Sequence, residues 1–251
     1  IVASPLSVIE DFMVSSIVSS KATDSKKDVA KKIARYDLIA LPITNESGEI
    51  VGIVTHDDAT DVFREETTSD FHKSGGIATT IGNLKDASIS LLYKKRVFWL
   101  VLLVFGNLFS GAGIAHFEDI IAANLVLVFF LPLLVDSGGN AGSQSATLMV
   151  RALATGEVEM RDWLYLLGRE ALVALCLGLT MAVAVSAVGF YRGDENVAMV
   201  LAMSMMSIVL VGSLIGMSLP FLLSRFKLDA ASASAPLITS ICDISGVLIY
   251  L

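Results

Sequence analysis

Residues 125–147 read LVLVFFLPLLVDSGGNAGSQSAT, and this stretch decides what kind of protein the chain is. Its first half is apolar enough for hydrocarbon, whereas its second half consists of small and polar residues and includes the carboxylate of Asp136. A helix that faces lipid would not carry this second half, because polar groups without partners are costly there. A helix that packs within a bundle or lines a wet cavity could carry it. The stretch therefore predicts a membrane helix with an interior or aqueous face.

Around this stretch the chain divides into a polar part and an apolar part, and the division falls at residues 94–96. The whole chain has 251 residues, of which 54% are hydrophobic and 17% charged, and its mean hydropathy is +0.71. A soluble domain carries about 25% charged residues, so the composition excludes that class. Five apolar segments follow residue 96, and each can reach the roughly 20 residues that cross a bilayer: 97–115, 120 to about 153, 163–190, 197–223 and 230–251.

The acidic residues are distributed unevenly between the two parts. The net charge of −7 argues against a nucleic-acid partner, which normally requires a basic surface. Residues 1–96 hold 12 basic and 14 acidic residues, whereas the apolar residues 97–251 hold 6 basic and 11 acidic ones. Carboxylates are expensive in hydrocarbon, so an acidic excess in the apolar part predicts that some of these acids are functional.

The basic residues beside the apolar segments predict the orientation of the membrane part. Three of them, at 94–96, precede the first segment, and five lie near the connections between segments two and three and between four and five, whereas the other two connections hold only Arg192. The positive-inside rule then places the N-terminal part in the cytoplasm and the C-terminus outside, in a multi-pass protein of the plasma membrane. Cys176 and Cys242 fall in apolar stretches and are interpreted as small packed residues rather than as disulfide or zinc ligands.

The polar part has the pattern of a small α/β domain. The periodicity predicts an amphipathic helix over 24–36 after an Asp or Ser cap, and a helix from Asp57 to about Glu66 with Thr55 as its N-cap. Apolar strands are predicted over 38–43 and 50–54, with a turn at 45–48 between them. The pair Gly75–Gly76 is a break, and an amphipathic helix over 84–93 leads into the first apolar segment.

Several stretches resemble a known membrane protein family. Residues 37–43 (DLIALPI), 48–55 (GEIVGIVT) and the pair Asp57–Asp58 resemble the second half of a CBS-domain pair. Residues 132–147, with RALATGE at 151–157 and RDW at 161–163, are similar to the second membrane helix of MgtE-type magnesium channels. The ending APLITSICDISGVLIYL at 235–251 is also similar to that family. The matches cover essentially the whole chain in the right order.

The resemblance implies a membrane all-α domain of five helices, preceded by a small α/β CBS-like cytoplasmic domain. The expected domains are a CBS-like domain at 1–74, a connecting amphipathic helix at 75–96 and a membrane domain at 97–251. Family members also carry an N-terminal helical domain and a first CBS repeat, which this sequence lacks, and Ile1–Pro5 is similar to the tail of that repeat. A nucleotide site between two repeats would therefore be incomplete here.

The resemblance also implies a function, together with a partner and a ligand. It implies a homodimer in the lipid bilayer, whose pore lies between the second and fifth helices of both subunits. Mg²⁺ would enter the cytoplasm through this pore down its electrochemical gradient. Cytoplasmic Mg²⁺ would bind to the CBS region and close the pore when its concentration is high.

Asp243 is the first candidate pore residue. It is the only formal charge in the segment 230–251, and an ionised Asp at the bilayer centre costs about 2.5–3.5 kcal/mol on insertion scales. A cation pathway offsets that cost, and the family's pore aspartate matches Asp243. The alternative is a protonated Asp that is hydrogen-bonded to a neighbouring helix.

Gly138, Gly139 and Asn140 are the next candidates. Glycines let backbone carbonyl groups approach an ion, and an Asn amide oxygen also suits a hard cation such as Mg²⁺. The alternative is close helix packing, because Gly138 and Gly142 form a Gly-x-x-x-Gly spacing. Asp136 lies four residues before Asn140 and therefore on the same helix face, where it could attract cations or pair with a basic residue.

A third group of acids lies in and around the helix that begins near Asp57. By composition alone these residues indicate a solvated acidic helix face. A closed state that gathers carboxylates would bind Mg²⁺ better than an open state, so Mg²⁺ would select it. The resemblance assigns ligands of this regulatory magnesium to six positions: Asp37, Asp58, Asp61, Glu66, Asp70 and Asp229.

No motif in the sequence indicates an enzyme. The three histidines are scattered without zinc-ligand spacing, and there is no Gly-x-Ser-x-Gly elbow or P-loop. The alternatives to a magnesium channel are a transporter of Mn²⁺ or Co²⁺, an ion-coupled Mg²⁺ transporter and a CBS-regulated membrane protein that does not itself conduct. The sequence does not decide among them, because these cations share oxygen ligands.

Overall fold

The computed structural model describes residues 8, 13, 16–77, 85–123 and 125–251, with Ala123 described by its backbone only. The chain divides after Thr68 into two compact units, and each unit is described by itself. The resemblance of Ile1–Pro5 to the tail of a first repeat concerns residues outside the described ones. The same holds for residues 78–84 of the predicted connecting helix.

The N-terminal unit is built on a three-stranded sheet in the order β1 (Ser20–Lys21), β2 (Ala40–Thr44) and β3 (Ile50–Thr55). Strand β1 pairs with β2 in parallel, and β2 pairs with β3 antiparallel, with Leu41 opposite Val54. The predicted strands are thus present, with ends shifted by one or two residues. They form a hairpin whose turn has the expected Gly48 with a φ of 84°.

Helix α1 (Lys26–Arg35) packs against this sheet. Its N-cap is Ser25, whose hydroxyl oxygen accepts a hydrogen bond from the backbone N–H of Asp28 at 3.1 Å, as the sequence predicts. The apolar face of α1 closes a small core with one residue of β2 and one of the next helix: Val29, Ala30, Ile33, Leu41 and Ala59.

Helix α2 (His56–Ser74) begins one residue earlier than predicted and continues well beyond the predicted end at Glu66. The Thr and Ser residues that follow Glu66 are weak helix formers. In the structure the hydroxyl of Thr67 donates to the carbonyl of Phe63 at 2.7 Å, so this hydroxyl is satisfied inside the helix. The helix ends at the predicted glycine pair.

The C-terminal unit consists mainly of apolar helices. Four of the described helices are long and apolar enough to cross a membrane, judged by length and composition. A further apolar helix has 16 residues. The predicted class, a helical membrane domain behind a small α/β unit, is confirmed. The helices are α3 (Ile89–His116), α4 (Glu118–Ala123), α5 (Leu125–Thr155), α6 (Trp163–Arg192), α7 (Glu195–Arg225) and α8 (Ala235–Tyr250).

The predicted fifth segment, 230–251, is helical in two pieces. A short 3-10 turn at Ala230–Ser232 follows Asp229, whose carboxylate accepts the N–H of Ala231 at 2.9 Å. Helix α8 begins only after Ser234, which caps it, and Pro236 lies in its first turn. Proline has no N–H to donate and suits the first turn of a helix, so it fixes this start. Asp243 therefore lies near the middle of α8.

Helix α3 begins at Ile89 and runs without interruption through residues 94–96. The predicted boundary at residue 96 between a connecting helix and the first membrane helix is therefore not a break in secondary structure. Residues 85–88 are not helical. Glu118 and Asp119, which lie between the first and second apolar segments, form the first turn of the short helix α4.

Helices α5 and α7 lie at the centre of this unit. Helix α6 packs on α7, α5 packs on both α7 and α8, and α3 packs on α8. Gly138 and Gly142 of α5 meet Gly212 and Gly216 of α7, and a Cβ on Gly142 would lie 2.7 Å from the Gly212 carbonyl oxygen. These glycines allow the two backbones to approach closely, which is the packing use expected for this spacing.

Candidate functional site

Asp243 of α8 is half-buried and lines a cavity of about 520 Å³ between α3 and α8. Thr239 and Ser240 lie one turn earlier on the same face of α8 and line the same cavity. Asn107 of α3 completes the polar part of the lining. Two helices of an apolar unit thus bring a carboxylate, two hydroxyl groups and an amide to one cavity.

Asp136 and Asn140 are exposed on one face of α5. The side-chain nitrogen of Asn140 donates to the carboxylate of Asp136 at 2.9 Å. In the part of the chain that the structure describes, Asp136 forms no ion pair with a basic residue. Helix α5, which carries Asp136, packs on α8, which carries Asp243.

The exposed face of α5 remains polar beyond these two residues. Gln144 and Thr147 are exposed and Ser143 is half-buried, whereas the opposite face of the helix packs on α7. A polar face on a helix that crosses hydrocarbon is not stable against lipid. Helix α5 therefore requires water or protein along this face.

Gly138 and Gly139 are buried on other sides of α5. Gly138 packs on Ile208 of α7, and Gly139 packs on Thr239 of α8, whose Cγ2 would lie 3.1 Å from an added Cβ. Helix α5 is continuous through both residues, so their carbonyl groups lie within the helix. Packing therefore accounts for Gly138, whereas Gly139 brings α5 close to the turn of α8 that precedes Asp243.

Four of the six carboxylates assigned to regulatory magnesium belong to the N-terminal unit, whereas Asp70 and Asp229 belong to the C-terminal unit. Among the residues that the structure describes, no group of three His, Cys, Asp or Glu side chains could hold a metal ion. Basic side chains approach three of the six instead. These pairs are Glu66 with Lys27 at 2.7 Å, Asp61 with Arg64 at 3.6 Å, and Asp229 with Lys73 at 2.5 Å.

Asp58 has a structural role at the start of α2. Its carboxylate accepts the hydroxyl of Thr55 at 2.9 Å and the backbone N–H of Thr55 at 3.4 Å, which is a helix N-terminal capping pattern. The Thr55 hydroxyl also donates to Asp57, and this hydrogen bond holds the pKa of Asp57 below its ordinary value. Asp57 and Asp58, the acidic residues in the first turn of α2, therefore stabilise the start of this helix.

Asp37 and Asp70 lie apart from this turn. Asp37 has a φ of 52°, in the left-handed region, at the turn where the N–H of Leu38 donates to the carbonyl of Ile33 and closes α1. Asp70 is half-buried near the end of α2.

Asn107, Thr239 and Ser240 are not among the site residues predicted from the sequence. Asn107 could have been recognised from the sequence, because it is a polar amide within the apolar segment 97–115. The two hydroxyl residues look ordinary in sequence, since Ser and Thr can bond to their own helix backbone. Only the packing of α3 on α8 shows that these residues share a cavity with Asp243.

Comparison with known proteins identifies both parts of the chain. Residues 131–251 match a family model described as MgtE, divalent cation transporter, and residues 9–65 match the CBS domain model. The chain is 37% identical over 251 residues to a magnesium transporter MgtE of Thermus thermophilus, 33% over 251 residues to one of Bacillus subtilis, and 31% over 247 residues to one of Enterococcus faecalis. The family resemblance drawn from the sequence is thereby confirmed.

These matches cover 100%, 100% and 97% of this chain, and 56%, 55% and 53% of the three relatives. The chain therefore spans about half the length of the curated relatives it matches.

Proposed function

We propose, from the premise that this chain belongs through residues 131–251 to the MgtE family of divalent cation transporters, that it forms a magnesium channel of the plasma membrane. The observation that carries the proposal is the position of Asp243. It lies half-buried in the middle of an apolar helix and lines a cavity together with an amide and two hydroxyl groups. A cation pathway explains why a carboxylate lies there.

The groups around Asp243 suit a hydrated divalent cation. Mg²⁺ gives up its water reluctantly, so a pathway would hold it through its hydration shell. A carboxylate attracts the charge, while the side chains of Asn107, Thr239 and Ser240 offer hydrogen bonds to bound water. Asp136 and Asn140 of α5 supply a second polar surface on a helix that packs on α8.

A homodimer explains the polar face of α5. In the proposed assembly the pore lies between α5 and α8 of two subunits, so that the exposed residues Asp136, Asn140, Gln144 and Thr147 face water rather than lipid. Two copies of Asp243 would then lie near one pathway and give it a charge of about −2.

The proposed direction is inward, along the membrane potential. This potential supplies about 2.3 kcal/mol per elementary charge per 100 mV, and about twice that for a divalent cation. The basic connections support a cytoplasmic N-terminal unit and an outside C-terminus. In this layout residues 1–74 form the CBS-like domain, 75–96 connect it to the membrane, and 97–251 form the membrane domain.

We further propose that cytoplasmic Mg²⁺ closes the pathway by binding carboxylates of the CBS region and of Asp229. No group of three such side chains among the described residues could hold a metal ion, so a site would combine these carboxylates with groups of a second subunit or of the first repeat that family members carry. The lysine pairs of Glu66 and Asp229 support this proposal, because a divalent cation could replace a lysine there.

A cavity of about 380 Å³ in the N-terminal unit supports nucleotide binding as a second candidate function. Its apolar lining, which includes Ile43 and Val54, suits a base. Two lysines, Lys21 and Lys26, could bind phosphate, but three carboxylates also line the cavity and oppose it: Asp24, Asp58 and Asp61. A first CBS repeat would complete such a site. Titration of the chain with a nucleotide, in the presence and absence of a first repeat, tests this candidate.

Flux through liposomes tests the proposed channel. The purified chain should admit Mg²⁺ to vesicles that contain a magnesium-sensitive dye, and Asp243→Ala should abolish this flux. Glu170→Gln removes a carboxylate of α6 instead and should leave the flux unchanged. Normal flux in Asp243→Ala would contradict the pore assignment.

The same assay separates the alternatives. Preferred uptake of Mn²⁺ or Co²⁺ would indicate another divalent transporter, and dependence on a sodium gradient would indicate a coupled one. Absence of flux from the wild-type chain in a dimeric, folded state would favour a CBS-regulated membrane protein that does not conduct.

A further inference from the structure

An apolar groove of about 450 Å³ lies between α6, α7 and α8, away from the cavity that contains Asp243. Its floor is formed by apolar side chains such as Ile215, Leu219 and Leu222 of α7 and Ile241 of α8. The groove is lined at one end by Trp163, the first residue of α6, and Arg225, the last residue of α7. The groove is therefore mainly apolar, and the positively charged side chain of Arg225 lies at one end of it.

The groove follows one face of α7. Ile215, Ser218, Leu222 and Arg225 are spaced at i, i+3, i+7 and i+10, so they lie on one side of the helix. The glycine face of α7 packs on α5, as described above. The glycines of this contact, Gly212 and Gly216, do not line the groove.

Arg225 differs in its contacts from Arg151 and Arg161, the two arginines near the connection between α5 and α6. Arg151 is paired with Glu157 at 3.3 Å, and Arg161 is paired with Glu159 at 3.1 Å. Within the described ranges Arg225 makes no ion pair, although its side chain lines the apolar groove. An exposed guanidinium group beside apolar surface offers a binding site for a phosphate that carries an acyl chain.

We propose that the groove binds an anionic phospholipid, with the acyl chain along α7 and the phosphate on Arg225. Trp163 lies at the same end, and tryptophan favours the membrane–water interface. This end also carries the basic connections that the proposed orientation places on the cytoplasmic side, where anionic lipids concentrate. Charge complementarity thus selects an anionic lipid over a neutral one, and the apolar floor selects a lipid over free phosphate.

Fluorescence of Trp163 tests this proposal without any flux measurement, so its outcome does not depend on the proposed channel. The chain contains two tryptophans, and Trp99→Phe leaves Trp163 as the only one. The full chain is reconstituted in vesicles that contain phosphatidylglycerol or phosphatidylcholine with brominated acyl chains, which quench tryptophan on contact. We expect phosphatidylglycerol to associate with Trp163 about fivefold more strongly than phosphatidylcholine, since one Arg acts on one anionic headgroup.

Three variants in the Trp99→Phe background identify the source of the preference. Arg225→Gln should remove it, and Arg225→Lys should keep most of it. Ser218→Phe fills the groove and should also remove it while Arg225 is present. Arg192→Gln, a change at the last residue of α6, is the matched control and should preserve it.

Other outcomes overturn the proposal. A preference that survives Arg225→Gln, or that Arg192→Gln equally abolishes, would indicate general surface charge. A preference that survives Ser218→Phe, or that inorganic phosphate abolishes by competition, would indicate a headgroup site without an acyl chain. Failure of either lipid to quench Trp163 would show that protein, such as a second copy of the chain, covers the groove.

Discussion

A carboxylate in the middle of an apolar helix needs a group other than lipid to solvate it. Asp243 has neighbours of this kind, because α3 and α8 place Asn107, Thr239 and Ser240 around the same cavity. None of these neighbours carries a positive charge, so they do not neutralise the carboxylate. The residue is therefore surrounded by hydrogen-bonding groups and remains able to attract a cation.

Asn107 provides the first prediction at this scale. If its amide holds water of a passing cation, Asn107→Leu should lower Mg²⁺ flux in liposomes by about two- to tenfold, the effect of one neutral hydrogen bond. Asn107→Gln retains the amide and should restore much of the flux. Leu108→Ala, at an exposed neighbouring position, is the control and should change nothing. Equal flux in Asn107→Leu and wild type would remove Asn107 from the pathway.

Asp37 provides a prediction about stability. Its φ of 52° is strained for most residues and suits glycine, so Asp37→Gly should leave the end of α1 as stable or up to about 1 kcal/mol more stable. Asp37→Val should destabilise the same turn by about 1–2 kcal/mol. Hydrogen exchange of the segment 33–44 measures both changes. Faster exchange in Asp37→Gly than in wild type would show that the Asp side chain stabilises the turn.

At the scale of elements, α5 shows how one helix serves two purposes. One side carries Gly138 and Gly142 and packs closely on α7, while another side carries Asp136 and Asn140 and stays exposed. The close packing holds α5 rigidly. The exposed side can therefore present polar groups at fixed positions along the helix.

The packing side of α5 can be tested with a single methyl group. A Cβ on Gly142 would lie 2.7 Å from the backbone oxygen of Gly212, so Gly142→Ala must push α5 and α7 apart. We expect a loss of about 1–3 kcal/mol of stability, as for other overpacked sites. Gly168→Ala, in α6 where nothing lies within 4 Å, should be neutral or slightly stabilising. Thermal unfolding in detergent measures the stability of both variants. An equal change in unfolding temperature for Gly142→Ala and Gly168→Ala would contradict the close contact.

Sequence patterns predicted the local features of these elements well. The Ser25 cap, the turn at Gly48 and the long apolar helices each depend on residues that lie close together in the chain. Two predicted ends were wrong for a local reason. The hydroxyl groups of Thr67 and Thr68 donate hydrogen bonds to backbone carbonyl groups of α2, so the helix can continue past Glu66. Pro236 lies in the first turn of α8 and fixes a later start for that helix.

The site was less accessible from the sequence, because it depends on packing between distant helices. Asp243 stood out because it is a charge in an apolar run. Asn107 becomes significant only once α3 packs on α8, and the two roles of Gly138 and Gly139 separate only once α7 and α8 occupy different sides of α5. In the single chain the polar face of α5 is likewise exposed. In the proposed homodimer it would face the pore instead of lipid.

At the scale of the whole molecule, the acidic excess of residues 97–251 separates into distinct positions. Asp243 and Asp136 lie on two membrane helices, α8 and α5, that pack on each other. Asp229 lies at the start of the turn that precedes α8 and is paired with Lys73 in the last turn of α2. In the proposed orientation this series of acids follows the path of a cation towards the cytoplasm.

The pair of Lys73 with Asp229 connects the proposed regulation to the proposed pathway. One oxygen of Asp229 accepts from Lys73, and the other caps the turn at Ala230–Ser232 that leads into α8, the helix of Asp243. A magnesium ion at Asp229 would have to compete with the lysine. Removal of the lysine should therefore let Mg²⁺ bind Asp229 at a lower concentration and close the pathway earlier.

We accordingly expect Lys73→Met to shift the midpoint of closure by internal Mg²⁺ downward by up to about fivefold, because a partly exposed ion pair contributes about 0.2–1 kcal/mol. The measurement is Mg²⁺-dependent channel current in membrane patches with the cytoplasmic side exposed to the bath. Lys31→Met removes an exposed lysine of α1 and should leave the midpoint unchanged. An unchanged midpoint in Lys73→Met would show that Asp229 does not bind the regulatory magnesium. The role of Asp229 would then be to cap the turn before α8. A wild-type channel that stays open at high internal Mg²⁺ would instead contradict the proposed control by this part of the chain.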